Sequence, residues 1–273
     1  MFLTREDHRV LLNKQCRTAA EEQFVCVYNR LPVDFERSIL NFSKDWHKIL
    51  PPDKDIFNRL ALEYGKEYHL GGHSKDWGFK TEKHWNYTER WQETAKNILA
   101  CVFHPIKTIL DVGCGPGSLV AEFNNNYKEI DAYGVDISNW CVSNPKPGAE
   151  GKLHEGLAVA IPAKDYNFEL VILCDVLEHQ PAEYLDLAIS EACRVSNGFI
   201  FITIPIPFSG VGTYQWGKEK FVDHYILERA DTWRNWFQNK GFVEYPDFYH
   251  LALRDQFPFN MGHTNFPILF ARR

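Results

Sequence analysis

A glycine-rich turn constrains the fold of this chain more than any other feature. The segment ILDVGCGPGSLV, residues 109–120, runs from a short apolar stretch through three alternate glycines into a helical pattern. Glycine adopts backbone conformations that other residues avoid, so this spacing before a helix indicates close approach of the backbone to a ligand. The carboxylate of Asp111 would repel the phosphates that such turns commonly bind. The turn therefore predicts a ligand that carries positive charge.

Strand and helix patterns alternate after residue 106. Apolar runs predict strands at residues 106–113, 131–138, 152–156, 168–175 and 198–205. The run FELVILCD, residues 168–175, is typical of a strand buried on both faces. Helices are predicted over 118–126, over 181–195 with Pro181 in the first turn, and over 227–240 with a stop at Gly241. This alternation predicts an α/β fold with a doubly wound, mainly parallel sheet.

The predicted helix over residues 181–195 has one apolar face. That face consists of Leu185, Ala188, Ile189, Ala192 and Val195.

The first 90 residues differ in pattern from the rest, and we expect a helical N-terminal extension over 1–90 and a second domain over 91–273. The stretch from residue 64 to residue 91 is rich in aromatic side chains at irregular spacing. Its aromatic, histidine and arginine residues include Tyr64, Tyr68, His69, His73, Trp77, Trp85, Tyr87, Arg90 and Trp91. Such a stretch is expected to pack on the core, to cover a ligand as a lid, or to do both.

The composition narrows the class of protein. The net charge of −6 disfavours a general nucleic-acid binder but leaves a local basic groove open. Seven scattered cysteines without a CxxC pair indicate free thiols in a reducing compartment. We find no secretory signal and no apolar run of membrane-spanning length, so we expect a cytoplasmic protein without membrane contact. The oligomeric state is left open.

The histidines of the N-terminal region do not indicate a metal site. The pair Gly71-Gly72 breaks any helical face that would bring His69, His73 and His84 together, and no cysteine or carboxylate completes a ligand set with them. The sequence therefore predicts no metal.

The motifs around the glycine turn resemble those of the class I S-adenosylmethionine-dependent methyltransferases. LDVGCGPG, residues 110–117, resembles their first motif, and GVDIS, residues 134–138, resembles their second. The segment 156–179, ending in VLEH, is similar in layout to the matching part of small-molecule members. The resemblance covers about residues 90–245. It implies a seven-stranded Rossmann-like sheet, S-adenosyl-L-methionine as the cofactor, and methyl transfer to a small-molecule acceptor at oxygen or nitrogen.

The cofactor explains the two acids of these motifs. It carries an ammonium and a sulfonium, which suit Asp111, and Asp136 at the end of the second strand would accept hydrogen bonds from both ribose hydroxyls. Leu157 stands where the family often has an acid for the adenine amino group, so backbone groups of Leu157 and Ala158 are the candidates there. The full set of expected cofactor-binding residues is Asp111, Gly113, Cys114, Gly115, Gly117, Asp136, Ile137, Leu157, Ala158, Cys174, Asp175, Tyr87 and Arg90.

Two histidines are candidates for a general base, since the unperturbed pKa of histidine lies near neutral pH. His179 directly follows the fourth strand pattern, where it would either take a proton from the acceptor or cap the next helix. His224 follows the insertion 207–221, which is expected to cover the acceptor, and this position favours His224. Two other functions stay open: methyl transfer to RNA, glycan or protein, and a non-catalytic cofactor-binding module that serves a partner protein.

Overall fold

Seven strands form one sheet in the computed structural model, which describes residues 54–69, 88–102, 104–205, 225–226, 228–245 and 265–273. The strands are β1 (Thr108–Val112), β2 (Asp131–Asp136), β3 (Leu153–Glu155), β4 (Phe168–Cys174), β5 (Ser196–Pro205), β6 (Phe242–Glu244) and β7 (Asn265–Arg272). Their order across the sheet is β3-β2-β1-β4-β5-β7-β6. Strands β1 to β5 pair in parallel, whereas β7 lies antiparallel between β5 and β6. The predicted doubly wound, mainly parallel seven-stranded sheet is confirmed.

Helices cover both faces of this sheet. They are α1 (Lys54–Glu63), α2 (Lys66–His69), α3 (Thr88–Cys101), α4 (Ser118–Asn126), α5 (Asn139–Ser143), α6 (Leu185–Val195) and α7 (Ala230–Asn239). Two 3-10 turns, Leu177–His179 and Ala182–Tyr184, precede α6. Gly241, at φ +86°, follows α7 as its sequence predicted.

The α-helix predicted from residue 181 begins later than expected. Pro181 has ψ 140°, which is an extended conformation, and its carbonyl accepts the N–H of Tyr184 to close a 3-10 turn. The α-helix starts only at Leu185, so the prediction for Pro181 was wrong. The five apolar positions predicted for the buried face of this helix are all buried.

Alternation along β1 builds two apolar cores, one on each face of the sheet. Ile109 packs in the same core as the α4 residue Phe123, and Leu110 packs in the core that contains Ile189 of α6 and Trp233 of α7. Successive side chains of a strand point to opposite faces, so a strand covered on both faces must be apolar throughout. Apolar side chains thus fill both cores, and Asp111, Asp136 and Cys174 lie at or next to the carboxyl ends of their strands.

The N-terminal segment packs on the second of these cores. Phe57 and Leu60 of α1 are 5% and 3% exposed, and the rings of Phe57 and Tyr184 lie 5.1 Å apart. Residues 1–53 and 70–87 lie outside the described residues, so the predicted helical extension is confirmed only for α1 and α2, and the division at residue 90 stays a prediction. Within the described ranges, no helix has the length and apolar character that would let it cross a membrane.

Candidate functional site

The glycine turn between β1 and α4 forms the floor of a cleft at the carboxyl ends of the strands. Gly113, Gly115 and Gly117 have φ values of +73°, +54° and +77°, in the region that L side chains avoid. The N–H groups of Gly113 and Cys114 both donate to the carbonyl of Val135, over 2.7 and 3.2 Å. The turn is thereby tied to β2 in a conformation that requires glycine.

Asp136, the last residue of β2, is held by backbone groups on both of its carboxylate oxygens. Oδ2 accepts the N–H of Gly115 at 2.7 Å, and Oδ1 accepts the N–H of Ser138 at 2.8 Å. Burial raises the pKa of Asp136 to about 6, although these two N–H groups act in the opposite direction. A carboxylate oxygen has more than one acceptor site, so this oriented group is able to accept further hydrogen bonds from a ligand in the cleft.

Asp111 lies in β1 beside this group and is 5% exposed. Burial, together with the charge of Asp136, raises the pKa of Asp111 to about 8. An ionised pair of acids is costly in such surroundings unless a positive charge lies near it. The electrostatics of the site therefore suit a cationic ligand, in agreement with the charge predicted from the sequence.

The cleft over the turn has a volume of ≈ 1060 Å³, counting the part open to solvent. Predicted site residues that line it are Asp111, Gly113, Cys114, Gly115, Asp136, Ile137, Cys174, Asp175 and His179. An adjoining pocket of ≈ 440 Å³, which likewise counts the part open to solvent, shares Asp136 and His179 with the cleft and is lined in addition by Leu157 and Ala158. The structure thus brings eleven predicted residues, Asp136 among them, around two adjoining pockets.

The wall of the smaller pocket is apolar. Leu157 is 4% exposed, and its carbonyl already accepts the N–H of Ala160 at 3.0 Å. Phe57 and Leu60 of α1 face the same space as Leu157 and Ala158. This wall suits a flat apolar group next to the Asp136 carboxylate.

Cys114 and Gly117 support the turn from behind. A Cβ on Gly134 would lie 2.5 Å from the Sγ of Cys114, and the buried thiol has a pKa raised well above its ordinary value by burial. A Cβ on Gly117 would lie 2.9 Å from side-chain atoms of Ala149 and Leu153. Cys114 is therefore a tightly packed filler rather than an activated nucleophile, and Gly117 is also required for close packing.

Asp175 follows β4 with φ +56°, a left-handed conformation that is strained for a residue with a Cβ. Its Oδ1 accepts the hydroxyl of Thr203 at 2.7 Å, and its N–H donates to the carbonyl of Thr203 at 3.1 Å. Strained conformations of this kind persist where the surroundings fix them, and they cluster at functional sites. Thr203 of β5 thus holds Asp175 at the rim of the cleft, next to Cys174.

His179 lies between the cleft and the smaller pocket, where its ring meets Tyr64 of the N-terminal segment. Tyr64 Oη and His179 Nδ1 are 2.9 Å apart, and the rings are 5.4 Å apart at 68°. His179 Nε2 lies 3.9 Å from Oε1 of Glu178, whose side chain is 1% exposed. The ring therefore faces the site. Of the two interpretations from the sequence, this position agrees with a histidine that can reach the acceptor and not with one that caps the next helix.

Helix α2 covers the glycine turn with a second histidine. A Cβ on Gly115 would lie 2.9 Å from Cε1 of His69, and the rings of His69 and Trp140 stack at 6.2 Å and 16°. Burial lowers the pKa of His69 to about 4, opposed by a hydrogen bond with the backbone of Tyr64. His69 is therefore neutral at pH 7.

Several residues that line the cleft were not predicted individually as site residues. They are Tyr64, Tyr68, His69, Trp91, Pro116, Ser118, Leu119, Val176 and Gln180. The aromatic stretch from Tyr64 to Trp91 was the signal for the first four, because a lid was one of its two expected roles. Irregular spacing left open which of its side chains face the ligand.

Some of the predicted site residues lie outside the part of the chain that the structure describes. Tyr87 and His224 lie outside the described residues, and so does the side chain of Arg90, whose backbone belongs to α3. His73 and His84 also lie outside them. Among the residues whose positions are described, no group of three or more His, Cys, Asp or Glu side chains is arranged to hold a metal ion.

The sequence of this region matches a family of known proteins. The "Methyltransferase domain" family matches residues 109–197, which run from β1 through the glycine turn, Asp136 and His179 to the start of β5. No curated protein matches the chain.

Solved structures show the same fold at low sequence identity. Phosphoethanolamine N-methyltransferase 2 of Haemonchus contortus, in complex with phosphomonomethylethanolamine and S-adenosylhomocysteine, is 16% identical, with a TM-score of 0.52 over 82% of this chain and 61% of its own. A Haloferax volcanii protein that is assigned as a methyltransferase and is bound to the Trm112 activator is 14% identical, with a TM-score of 0.50 over 81% and 98%. A Galdieria sulphuraria protein assigned as a sarcosine dimethylglycine methyltransferase is 12% identical, with a TM-score of 0.50 over 80% and 98%.

Proposed function

Because this chain carries a class I S-adenosylmethionine-dependent methyltransferase domain, we propose that it transfers a methyl group to an oxygen or nitrogen atom of a small-molecule acceptor. The cofactor supplies an electrophilic methyl group on its sulfonium. One observation carries the proposal: the glycine turn and the oriented Asp136 carboxylate form one side of a cleft, and aromatic side chains of the N-terminal segment cover the other.

The residues around the cleft fit the cofactor chemically. Asp136 is placed to accept the ribose hydroxyls, and the apolar wall of Ile137, Leu157 and Ala158 suits the adenine. Asp111 compensates the positive charge of the ligand, and Asp175 and Cys174 line the same end of the cleft. In this arrangement Gly113 and Gly115 allow the close approach of the backbone, and Gly117 and Cys114 support it by packing.

The methionine carboxylate needs partners elsewhere. We assign this role to Tyr87 and Arg90, as the resemblance to the family implies.

A small acceptor suits the covered shape of the site. Helices α1 and α2 bring Tyr64, Tyr68 and His69 over the strand ends, where these side chains line the cleft together with the glycine turn. Covering helices exclude water and orient the acceptor, and orientation is the main contribution that the protein makes to a displacement of this kind. For a hydroxyl acceptor, His179 or His224 serves as the base.

The test is radiolabel transfer from S-adenosyl-L-[methyl-³H]methionine. Purified protein is incubated with the dialysable metabolite fraction of a cell extract, and separately with its RNA, glycan and protein fractions. Label in a small molecule, lost in Asp136→Ala, supports the proposal. Label only in RNA, glycan or protein would contradict the acceptor class and leave the cofactor assignment intact.

The cytoplasmic location and the extent of the two domains, 1–90 and 91–273, remain part of this proposal.

A further inference from the structure

We propose that Tyr64 and His179 act as one proton-accepting pair in methyl transfer, with the Tyr64 hydroxyl touching the acceptor and His179 behind it. The inference rests on the proposed function and names the group that takes the acceptor's proton. The 2.9 Å between Tyr64 Oη and His179 Nδ1 is a normal hydrogen-bond distance for this pair, although 115 residues of chain separate the two side chains. Both residues line the cleft as well as the smaller pocket.

The protein holds Tyr64 firmly. The N–H of Tyr64 donates to the carbonyl of Leu60 at 2.9 Å, one turn back in α1, and Leu60 and Phe57 are buried in the core. The ring of Tyr64 also packs edge-on against that of Tyr68, with centroids 5.1 Å apart. The hydroxyl is thus positioned by the same contacts that hold α1 over the cleft.

His179 is held from the sheet side. Its N–H donates to the carbonyl of Val176 at 3.2 Å in the 3-10 turn that follows β4, and its side chain is 13% exposed. The neighbouring carbonyl of Glu178 accepts the N–H groups of Tyr225 and Ile226 at 2.8 and 3.1 Å. The chain that follows His224 therefore anchors this turn.

A buried carboxylate stands behind the pair. Oε1 of Glu178 lies 3.9 Å from Nε2 of His179, on the ring edge opposite to the Tyr64 bond. Opposite charges attract strongly where water is excluded, so Glu178 stabilises His179 while the ring carries an extra proton. The three groups form a row of phenol, imidazole and carboxylate, of which the Glu178 carboxylate is the buried end.

The proton transfer balances without any further reagent. In the tautomer in which Nδ1 of His179 carries no proton, the phenolic O–H of Tyr64 donates to Nδ1. The phenolic oxygen then retains the capacity to accept, so it can receive the proton of the acceptor's O–H or N–H. As the acceptor atom forms its bond to the methyl carbon and the carbon–sulfur bond breaks, its proton moves to the Tyr64 oxygen, and the phenolic proton moves to His179 Nδ1. His179 becomes an imidazolium beside Glu178 and later releases the proton to solvent.

A purely structural contact between the lid and the sheet would behave differently. If the contact between Tyr64 and His179 only held α1 in place, its loss would release α1 and weaken cofactor binding. Loss of a proton acceptor instead lowers the rate of methyl transfer while the cofactor stays bound. Tyr64→Phe, His179→Asn and the double variant separate the two cases. Tyr184→Phe is the matched control, because it removes a hydroxyl from another tyrosine that packs against α1, through Phe57.

The experiment measures S-adenosylhomocysteine affinity by calorimetry and methyl transfer to the dialysable metabolite fraction across a range of pH. We expect Tyr64→Phe and His179→Asn each to lower the rate by about 10²–10⁴-fold. The affinity for S-adenosylhomocysteine should change by less than about threefold. The double variant should be no slower than the single ones, because residues that act as a unit are not additive. Tyr184→Phe should match the wild type.

A full rate in Tyr64→Phe would overturn the pair, and so would a loss of S-adenosylhomocysteine affinity as large as the loss of rate. If the wild type binds S-adenosylhomocysteine but labels no small molecule, the proposed acceptor class fails, and the pair is judged by ¹⁵N NMR of the complex. The Nδ1 resonance of His179 should then shift in Tyr64→Phe and stay in place in Tyr184→Phe. An unchanged resonance in Tyr64→Phe would overturn the pair.

Discussion

The backbone N–H of Gly115 donates to Oδ2 of Asp136 over 2.7 Å and joins the glycine turn to the end of β2. The two motifs of the site are therefore one unit, because one of the two N–H groups that orient the carboxylate belongs to the turn itself. A substitution at either residue should therefore alter the position of the other.

Two alanine substitutions separate the cost of the left-handed backbone at Gly115 from the cost of its close contact with His69. Gly115→Ala introduces a Cβ at φ +54° that would lie 2.9 Å from Cε1 of His69, so the His69 ring must move away from the turn, alone or together with α2. Gly151→Ala is the control, because Gly151 has φ +70° and open space around it. Both should lose roughly 1–2 kcal/mol of folding stability, the cost of a left-handed alanine. Only Gly115→Ala should also weaken S-adenosylhomocysteine binding, and equal affinities in calorimetry would count against the contact between α2 and the turn.

We expect the packing of α1 on the sheet to affect both the folding stability of the protein and its affinity for the cofactor. Leu60→Ala removes a side chain that is 3% exposed and should cost about 2–5 kcal/mol of packing. Because Tyr64 and α2 follow directly, cofactor affinity should fall as well. Leu62→Ala makes the same substitution in the same helix at a side chain that is 83% exposed, and it should change neither quantity. Urea unfolding and calorimetry measure both effects, and a Leu60→Ala protein of unchanged affinity would show that α1 only packs.

Asp111 should make the cofactor-free protein less stable as the pH rises. Its pKa is raised from 3.8 to about 8 in the folded protein, so the folded state keeps a proton that the unfolded chain has lost. The stability from this group is fully present below about pH 4 and is lost as the pH rises towards about 8. Asp111→Asn should therefore be more stable than the wild type at pH 8, by more than about 1 kcal/mol, and the difference should shrink on acidification. Thermal unfolding of both proteins across this pH range measures the difference in stability. A difference that does not change with pH would rule the effect out.

Thr203 should act through Asp175. Thr203→Val removes the hydroxyl that donates to Asp175 Oδ1 at 2.7 Å, while volume and burial stay nearly the same. We expect a loss of about 0.5–1.5 kcal/mol in stability. Cofactor affinity should fall as well, because the strained conformation of Asp175 keeps its backbone hydrogen bond to Thr203 but loses its side-chain hydrogen bond. Asp175→Asn keeps an acceptor oxygen and tolerates the left-handed conformation, so it should lose less than Asp175→Ala. The reverse order of the two Asp175 variants in calorimetry would contradict this role.

Much of the sheet could be predicted from the sequence, since β1, β4 and β5 are apolar runs buried on both faces. The locations of β6 and β7 could not. Strand β7 lies at the end of the chain and enters the sheet antiparallel between β5 and β6, a pairing set by tertiary packing and not by local pattern. The start of α6 was missed for a local reason, because Pro181 adopts an extended ψ that a helical pattern does not reveal.

The acidic residues of the site were predictable, but the lid contacts were not. Asp111 and Asp136 stand at fixed distances from the glycines along the chain, so strand order alone brings them together. The contact of Tyr64 with His179 joins two elements that are remote in sequence, and nothing in the spacing of the aromatic residues selects that tyrosine. His179 was identified as a candidate base, whereas its partner became visible only in three dimensions.

The most direct test of the cofactor assignment is calorimetric titration of the full chain with S-adenosylhomocysteine. The wild type should bind it saturably, and Asp136→Ala should weaken binding by about 1–3 kcal/mol, because the ribose hydroxyls and the N–H groups of Gly115 and Ser138 lose their acceptor. Asp131→Ala, at the opposite end of the same strand, where Asp131 pairs with Lys152, should bind as the wild type does. Saturable binding of NADH by the wild type with none of S-adenosylhomocysteine would contradict the account.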